Sequence, residues 1–131
     1  MAKLERKEQG LVERALDSRE RAYAPYSGYR VGAALRAVGG EIFCGCNVEN
    51  ASYGATICAE RGAVLAAVAA GCQSFEQLAI ATESSPPAPP CGLCLQVLVE
   101  FCDDLSILLV NPRGEVVHTR LSRLIPKPFS G

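Results

Sequence analysis

Residues 58–61 read Cys-Ala-Glu-Arg and residues 90–94 read Pro-Cys-Gly-Leu-Cys, and these two segments decide both the fold and the chemistry expected of the chain. They contain three cysteines that could bind a metal ion, Cys58, Cys91 and Cys94. A structural zinc ion usually has four protein ligands, whereas a catalytic zinc ion has three and leaves the fourth position to water. Glu60 follows the first cysteine by two residues, and a carboxylate that does not bind the metal can carry protons for that water. The pattern therefore predicts a catalytic zinc site.

Both cysteine segments are predicted to begin helices. Residues 56–70 are rich in alanine and end before Gly71, a good C-cap residue. Residues 91–102 follow Pro90, which is tolerated near the first position of a helix because its missing N–H has no partner there. Helix N-termini carry unpaired N–H groups and a partial positive charge, which favour thiolates. Three thiolates on Zn²⁺ leave one net negative charge, and we expect the two helix starts and Arg61 to offset it.

The remaining cysteines offer alternatives for a fourth ligand. Cys102 lies eight residues after Cys94, which is about 12 Å along a helix, and is too distant. Cys72 is further still from the first metal-binding segment. Cys44 and Cys46 share one face of a predicted strand and remain candidates, although burial as small apolar residues is the favoured interpretation. Taken alone, the Cys-x-x-Cys segment could also be a redox pair.

The rest of the chain predicts one further helix and five strands. The helix is expected at residues 4–24, and the strands at 30–38, 41–48, 77–82, 105–110 and 115–121. Gly39-Gly40 is typical of a hairpin turn between the first two strands. The order α-β-β-α-β-α-β-β predicts an α/β protein, a three-layer α/β/α sandwich with a mixed five-stranded sheet. No repeat or linker divides the chain, so residues 1–131 are expected to form a single domain.

Composition excludes several classes of function. The chain has 131 residues, 49% of them hydrophobic and 21% charged, which is typical of a soluble globular domain. A net charge of −1 without a basic run gives no nucleic-acid-binding surface, and no stretch of about 18 apolar residues is present to span a membrane. Residues 1–6 do not resemble a signal peptide. Seven cysteines in such a chain predict reduced thiols in the cytoplasm.

Five segments in the same order resemble the small homotetrameric zinc-dependent cytidine deaminases. The matching segments are residues 26–35, 47–53, 58–61, 90–96 and 124–129. The resemblance implies a cytidine deaminase-like fold, a homotetramer with shared active sites, and a role in pyrimidine salvage. The implied reaction is hydrolytic deamination of cytidine or deoxycytidine to uridine or deoxyuridine and ammonia by a zinc-activated water. It assigns the metal to Cys58, Cys91 and Cys94, and proton transfer to Glu60.

The resemblance also assigns residues to the nucleoside. Asn47 and Glu49 are implied to bind the ribose hydroxyls. Their chemistry agrees, because alternate residues of a strand point the same way and an amide beside a carboxylate suits a sugar hydroxyl. The alternative is that both are ordinary polar residues of an edge strand. Ala59, between the first metal ligand and Glu60, is implied to contact the substrate as well.

Three aromatic residues are implied to complete the pocket. Tyr29 stands where the family has a phenylalanine that stacks on the base, and it adds a polar tip to the ring. Phe129 is implied to close the base pocket of a neighbouring subunit, and Tyr53 to approach the 5′ end of a neighbour's sugar. Packing in the protein core is the alternative for Tyr29 and Phe129.

One residue departs from the family pattern. Leu95 follows Cys94 where the family usually has arginine, so a positive charge near the thiolates or at a subunit contact is missing. Together with Tyr29, this departure leaves open a deaminase of a nucleoside antibiotic of the blasticidin S type, or of a modified cytidine. A zinc-stabilised binding module is a third interpretation, which Glu60 and the absence of a fourth ligand disfavour.

Overall fold

The computed structural model describes residues 4–131, and its centre is a mixed sheet of five strands in the order β2-β1-β3-β4-β5. The strands are β1 (Gly32–Ala37), β2 (Ile42–Cys46), β3 (Phe75–Ala81), β4 (Ser106–Val110) and β5 (Val116–Arg120). Strands β3 and β4 pair in parallel, while the other neighbours pair antiparallel. The predicted mixed five-stranded sheet is confirmed.

Helices cover both faces of this sheet. They are α1 (Arg6–Arg19), α2 (Ala59–Ala69), α3 (Gly92–Phe101) and the short α4 (Leu121–Leu124). Helix α1 packs on one face, where Leu11 and Ala15 meet Leu108 of β4. The other helices pack on the opposite face, where Ala63 and Leu98 join Ile80 of β3. Because β3 from Leu78 and β4 from Ile107 are buried on both faces, these parts of the two strands are continuous apolar runs. The expected three-layer α/β/α sandwich is therefore confirmed.

None of the helices in residues 4–131 has the length and apolarity needed to span a lipid bilayer.

Helix α1 ends earlier than the sequence predicts. The expected end was near residue 24, but the helix ends at Arg19. The backbone of Tyr23 instead pairs with the segment after β2: its N–H donates to the carbonyl oxygen of Asn47 at 2.9 Å, and its own carbonyl accepts from the N–H of Glu49 at 2.8 Å. These long-range bonds replace helical ones, so the chain leaves the helix before Pro25. Helix α4 is an element that the sequence did not predict.

Helix α2 lies directly against strand β2 at Gly45. A Cβ atom at this position would lie 2.4 Å from the carbonyl oxygen of Ala59 and 2.5 Å from the backbone nitrogen of Ala63. Contacts this short to backbone atoms leave no room for any side chain. The glycine thus permits the close approach of the first turns of α2 to the sheet.

Candidate metal centre and active site

Three cysteine thiols meet at the N-termini of two helices. Cys58 is the N-cap residue of α2, Cys91 is the N-cap residue of α3, and Cys94 lies in the first turn of α3. The three sulfur atoms all lie within 4.8 Å of one another, and those of Cys91 and Cys94 are 3.5 Å apart. Tetrahedral zinc with Zn–S bonds of about 2.3 Å requires sulfur atoms about 3.8 Å apart. The donor set therefore fits zinc with small adjustments, and it uses the three cysteines that the sequence singled out.

The other cysteines point elsewhere. Cys44 packs against the core on the α1 face of the sheet, opposite to α2, and Cys46 points the same way because it lies two residues further along the strand. Cys72 lies beside Glu41, with 3.7 Å between sulfur and carboxylate oxygen, and Cys102 is buried at the end of α3. Within residues 4–131, a group of three or more potential ligands therefore forms at the predicted site alone, and the alternative ligands on β2 are excluded.

The surroundings of Cys58 favour its thiolate form. A hydrogen bond from the thiol of Cys94 and the nearby guanidinium of Arg61 lower the pKa of Cys58 to about 5. The Nη2 atom of Arg61 lies 3.5 Å from the sulfur of Cys58 and also donates to the carbonyl oxygen of Thr56 at 3.0 Å. The structure thus places Arg61 where the sequence analysis expected a compensating charge.

Glu60 is a buried carboxyl beside the thiols. It is the second residue of α2, only 5% exposed, and it lies outside the group of potential ligands. Burial raises the pKa of Glu60, and the negative charge of Cys58 adds to this effect. A carboxyl group whose pKa is raised is suited to accept and return protons during a reaction.

A cavity of about 230 Å³ opens in front of the thiols and Glu60. The sequence-predicted residues that line it are Tyr29, Asn47, Cys58, Ala59, Glu60, Cys91 and Cys94. Further lining residues, which sequence reasoning missed, are Val31, Thr56, Ile80, Thr82, Ala88 and Pro89. Thr82 could have been predicted as a site residue from the sequence, because it is the first polar residue after the apolar run of β3. Polar residues at strand ends often face a site.

Asn47 fixes the backbone that forms one wall of this cavity. Its Oδ1 accepts from the N–H of Val31 at 2.8 Å, and its Nδ2 donates to the carbonyl oxygen of Tyr29 at 2.8 Å. An amide side chain has two further hydrogen-bonding positions. The side chain therefore holds Tyr29 in place and keeps capacity for another partner.

Glu49 and Tyr53 lie in a second cavity, of about 260 Å³, rather than in the first. Thr56 lines both cavities, so the two are neighbours. The carboxylate of Glu49 accepts from the N–H groups of Tyr26 at 2.9 Å and Ser27 at 3.1 Å, and also bonds to the hydroxyl of Ser27. The hydroxyl bond from Ser27 is the main reason that the pKa of Glu49 is lowered, so the group is a carboxylate.

Phe129 lines neither of these two cavities. Its ring is 78% exposed, and its backbone is held by the side chain of Gln96, which donates to its carbonyl oxygen at 2.7 Å and accepts from its N–H at 3.2 Å. Core packing within this chain is therefore excluded for Phe129.

Leu95, by contrast, is buried. It is 7% exposed and belongs to the core between α3 and the sheet.

The fold and the site together define a zinc hydrolase with a buried carboxyl beside three thiols, and comparison with known proteins agrees. Residues 5–109 match the family model described as the cytidine and deoxycytidylate deaminase zinc-binding region. A cytidine deaminase of Sporosarcina psychrophila is 44% identical over 121 residues, which cover 92% of this chain and 89% of the relative. The crystal structure of cytidine deaminase from Burkholderia pseudomallei superposes with a TM-score of 0.89 and 46% identity, covering 92% of this chain and 98% of the other.

A relative with a different substrate is more distant. A blasticidin-S deaminase of Bacillus cereus is 28% identical over 110 residues, 78% of each chain. The chain belongs to the cytidine deaminase family, and zinc is its cofactor. The resemblance inferred from the sequence motifs is thereby confirmed.

Proposed function

We propose that the protein hydrolyses cytidine or deoxycytidine to uridine or deoxyuridine and ammonia, with Cys58, Cys91 and Cys94 holding zinc and Glu60 transferring protons. One observation carries this proposal. The three thiols lie within 4.8 Å of one another, and a buried carboxyl that is not among the potential ligands lines the same cavity. A purely structural zinc site would need neither the open cavity nor the carboxyl.

The chemistry follows from the positions of the groups. Bound zinc supplies a Lewis acid that lowers the pKa of a water molecule, so that it becomes a nucleophile near neutral pH. Glu60 accepts a proton from the water as its oxygen adds to C4 of the base, and delivers a proton to N3. Glu60 then takes the remaining proton from the new hydroxyl group at C4 and gives it to the amino group, which leaves as ammonia while the carbonyl of the product forms. Burial of Glu60, which raises its pKa, supports this alternation between proton acceptor and donor.

Nucleoside binding is assigned to the two neighbouring cavities. Ala59 and the ring of Tyr29 line the first cavity, beside the thiols, and are proposed to contact the base. Asn47 has unused hydrogen-bonding capacity there, and Glu49 lies in the adjoining cavity, so the pair is proposed to bind the ribose hydroxyls. A carboxylate can accept more than the three hydrogen bonds that Glu49 already receives, which supports a sugar hydroxyl as a further donor.

The assembly is proposed to be a homotetramer with shared active sites. The exposed ring of Phe129 and the 90% exposed Tyr53 support this proposal, because most of each residue faces solvent in its own chain. A neighbouring subunit would receive them in its pocket. The sequence further supports a cytoplasmic enzyme of pyrimidine salvage.

Cytidine is favoured over a nucleoside antibiotic as substrate. The 44% identity to a cytidine deaminase exceeds the 28% identity to a blasticidin-S deaminase. The buried Leu95 also supports an ordinary cytidine enzyme, since its side chain belongs to the core and does not line the cavity. The departure from the family's arginine therefore leaves the pocket itself unchanged.

The test is incubation of purified protein with cytidine, deoxycytidine and blasticidin S in parallel, with ultraviolet absorbance and released ammonia as readouts. We expect both cytidine nucleosides to be converted and blasticidin S to remain. The Glu60→Gln protein serves as the matched control, because it retains the metal ligands. Consumption of blasticidin S without conversion of either nucleoside would replace the proposed substrate.

A further inference from the structure

Two walls of the first cavity are joined by a hydrogen bond between side chains. The hydroxyl oxygen of Tyr29 lies 2.6 Å from Oγ of Ser84, which is 55 residues further along the chain. Tyr29 belongs to the segment before β1, whereas Ser84 belongs to the loop of residues 83–90 that leads from β3 to the N-cap of α3, here termed the proline loop. Ala88 and Pro89 of the same loop also line the cavity. The bond therefore ties the ring of Tyr29 to the loop that forms another wall.

The Ser84 end of this bond is firmly anchored. Asn111 is 1% exposed, and its Nδ2 donates to the carbonyl oxygen of Ser84 at 2.9 Å and to the carboxylate of Glu115 at 2.8 Å. Its Oδ1 accepts from the N–H groups of Arg113 and Glu115, both at 3.1 Å. All four hydrogen-bonding positions of this buried amide are thus occupied, and disturbing such a group is costly.

The Tyr29 end is held as well. Asn47 donates to the carbonyl oxygen of Tyr29, so the backbone is fixed by one buried amide and the hydroxyl by Ser84. A tyrosine ring fixed at both ends has little freedom left to lose when a ligand binds against it. A phenylalanine at this position would lack the second attachment.

We propose that Ser84 is a positioning residue for substrate binding, because its hydrogen bond to Tyr29 holds the ring as a preformed wall of the base pocket and orders the proline loop. This proposal rests on the proposed function, in which Tyr29 contacts the base. Preorganisation of a binding surface improves affinity by reducing the ordering that binding requires. The bond involves neither the thiols nor Glu60, so its effect falls on KM rather than on kcat.

A double-mutant cycle tests the coupling. Tyr29→Phe and Ser84→Ala should each raise KM for cytidine about three- to tenfold, the range expected for one hydrogen bond, and should leave kcat within about twofold. The double variant should be no worse than either single variant, since each removes the same bond. Ser84→Thr keeps a hydroxyl and should restore KM. Independent, multiplying effects of the two substitutions, or a fall in kcat alone, would overturn the proposal.

Matched controls separate this effect from general loss of hydroxyl groups. Tyr23→Phe and Ser74→Ala alter side chains that line neither cavity of the site. Both control proteins should keep the wild-type KM. Thermal midpoints of all variants should be measured, because a purely structural role would lower the midpoint without changing KM.

Amide hydrogen exchange gives a readout that does not depend on activity. The N–H of Ala88 donates to Oγ1 of Thr82 at 3.2 Å and reports the order of the proline loop. Exchange there should be faster in Tyr29→Phe and in Ser84→Ala, to the same extent, and unchanged in the two controls. Unchanged exchange in both variants would refute the ordering of the loop. A wild-type protein that converts no nucleoside would refute the proposed function instead. The exchange result would still show whether the hydrogen bond between Tyr29 and Ser84 orders the proline loop.

Discussion

The guanidinium of Arg61 lies 3.5 Å from the sulfur of Cys58, one helical turn away, and its other hydrogen bond to the carbonyl oxygen of Thr56 fixes it there. Three thiolates on a divalent ion carry one net negative charge, which weakens the ion as a Lewis acid. Leu95, where the resemblance implies an arginine, is buried in the core. The charge of Arg61 and the two helix starts are therefore the compensation found at this site.

Replacing Arg61 with glutamine should weaken zinc binding. Loss of a group that bonds to a metal ligand typically reduces metal affinity or activity by about 10–100-fold. Zinc retained after dialysis against a chelator, measured by elemental analysis, checks this expectation. Arg14→Gln, at an exposed position of α1, is the control. Equal zinc retention in both variants would show that the guanidinium does not support the metal.

Glu60→Gln should abolish deamination and keep one zinc ion per chain. Removal of a proton-transferring group typically costs about 10²–10⁴-fold in rate, and Glu60 is assigned several transfers, so the loss is expected at or beyond the upper end. Turnover of cytidine and zinc content are measured on the same preparation. Near-normal turnover in a zinc-loaded variant would exclude Glu60 as the proton carrier.

Asn47→Ala should impair both folding stability and nucleoside binding, because the amide holds two backbone groups as well as facing the cavity. Leaving such groups unpaired costs about 1–3 kcal/mol. Glu49→Ala, in a more exposed place, should raise KM for cytidine with a smaller change in thermal midpoint. Steady-state kinetics and thermal denaturation of both variants distinguish these outcomes.

The same ribose assignment predicts that free cytosine is a much poorer substrate than cytidine. Equal conversion of the two would contradict the assignment of Asn47 and Glu49.

Deletion of residues 128–131 should reduce activity without unfolding the domain. The ring of Phe129 is exposed and is therefore expected to act in a neighbouring subunit. Light scattering and kinetics of the full and shortened chains provide the measurement. The molar mass of the wild-type protein in solution should exceed the 13.9 kDa of a single chain. A fully active monomer, or a shortened chain with unchanged kinetics, would disprove the shared site.

Asp104 should make stability depend on pH. The guanidinium of Arg120, 2.8 Å away, and the backbone N–H of Ser122 lower the pKa of this carboxyl. A lowered pKa in the folded state stabilises the protein above the unfolded pKa of about 3.9, and this contribution is lost as pH falls further. Asp104→Asn should therefore lower the thermal midpoint at about pH 7, and the difference from wild type should shrink below about pH 4.

Because the Asp104 pair is partly exposed, its effect should not exceed about 1 kcal/mol. Asp103→Asn, at the exposed neighbouring position, is the control. A difference between wild type and Asp104→Asn that persists unchanged at low pH would contradict the assigned cause.

Local patterns predicted that the three thiols meet, because the geometry of this cluster depends on local structure. Cys58 and Cys91 are helix N-cap residues, and the spacing to Cys94 is one helical turn, so turn and helix signals were sufficient. The parts that sequence reasoning missed depend on distant contacts. The end of α1 is set by the pairing of Tyr23 with the segment after β2, and the proline loop is anchored by Asn111. Neither contact has a signature in the periodicity of its own segment.

Gly45 determines how closely α2, the helix that begins at Cys58 and carries Glu60, can approach strand β2. Since the backbone of α2 touches the strand where this glycine has no side chain, the addition of one methyl group would have to lift the helix. A shift of α2 would move Cys58 and Glu60 relative to the thiols of Cys91 and Cys94 on α3. The separation between the three thiols thus depends on a residue that does not line the cavity, and Gly45→Ala would change it by forcing the helix and the strand apart.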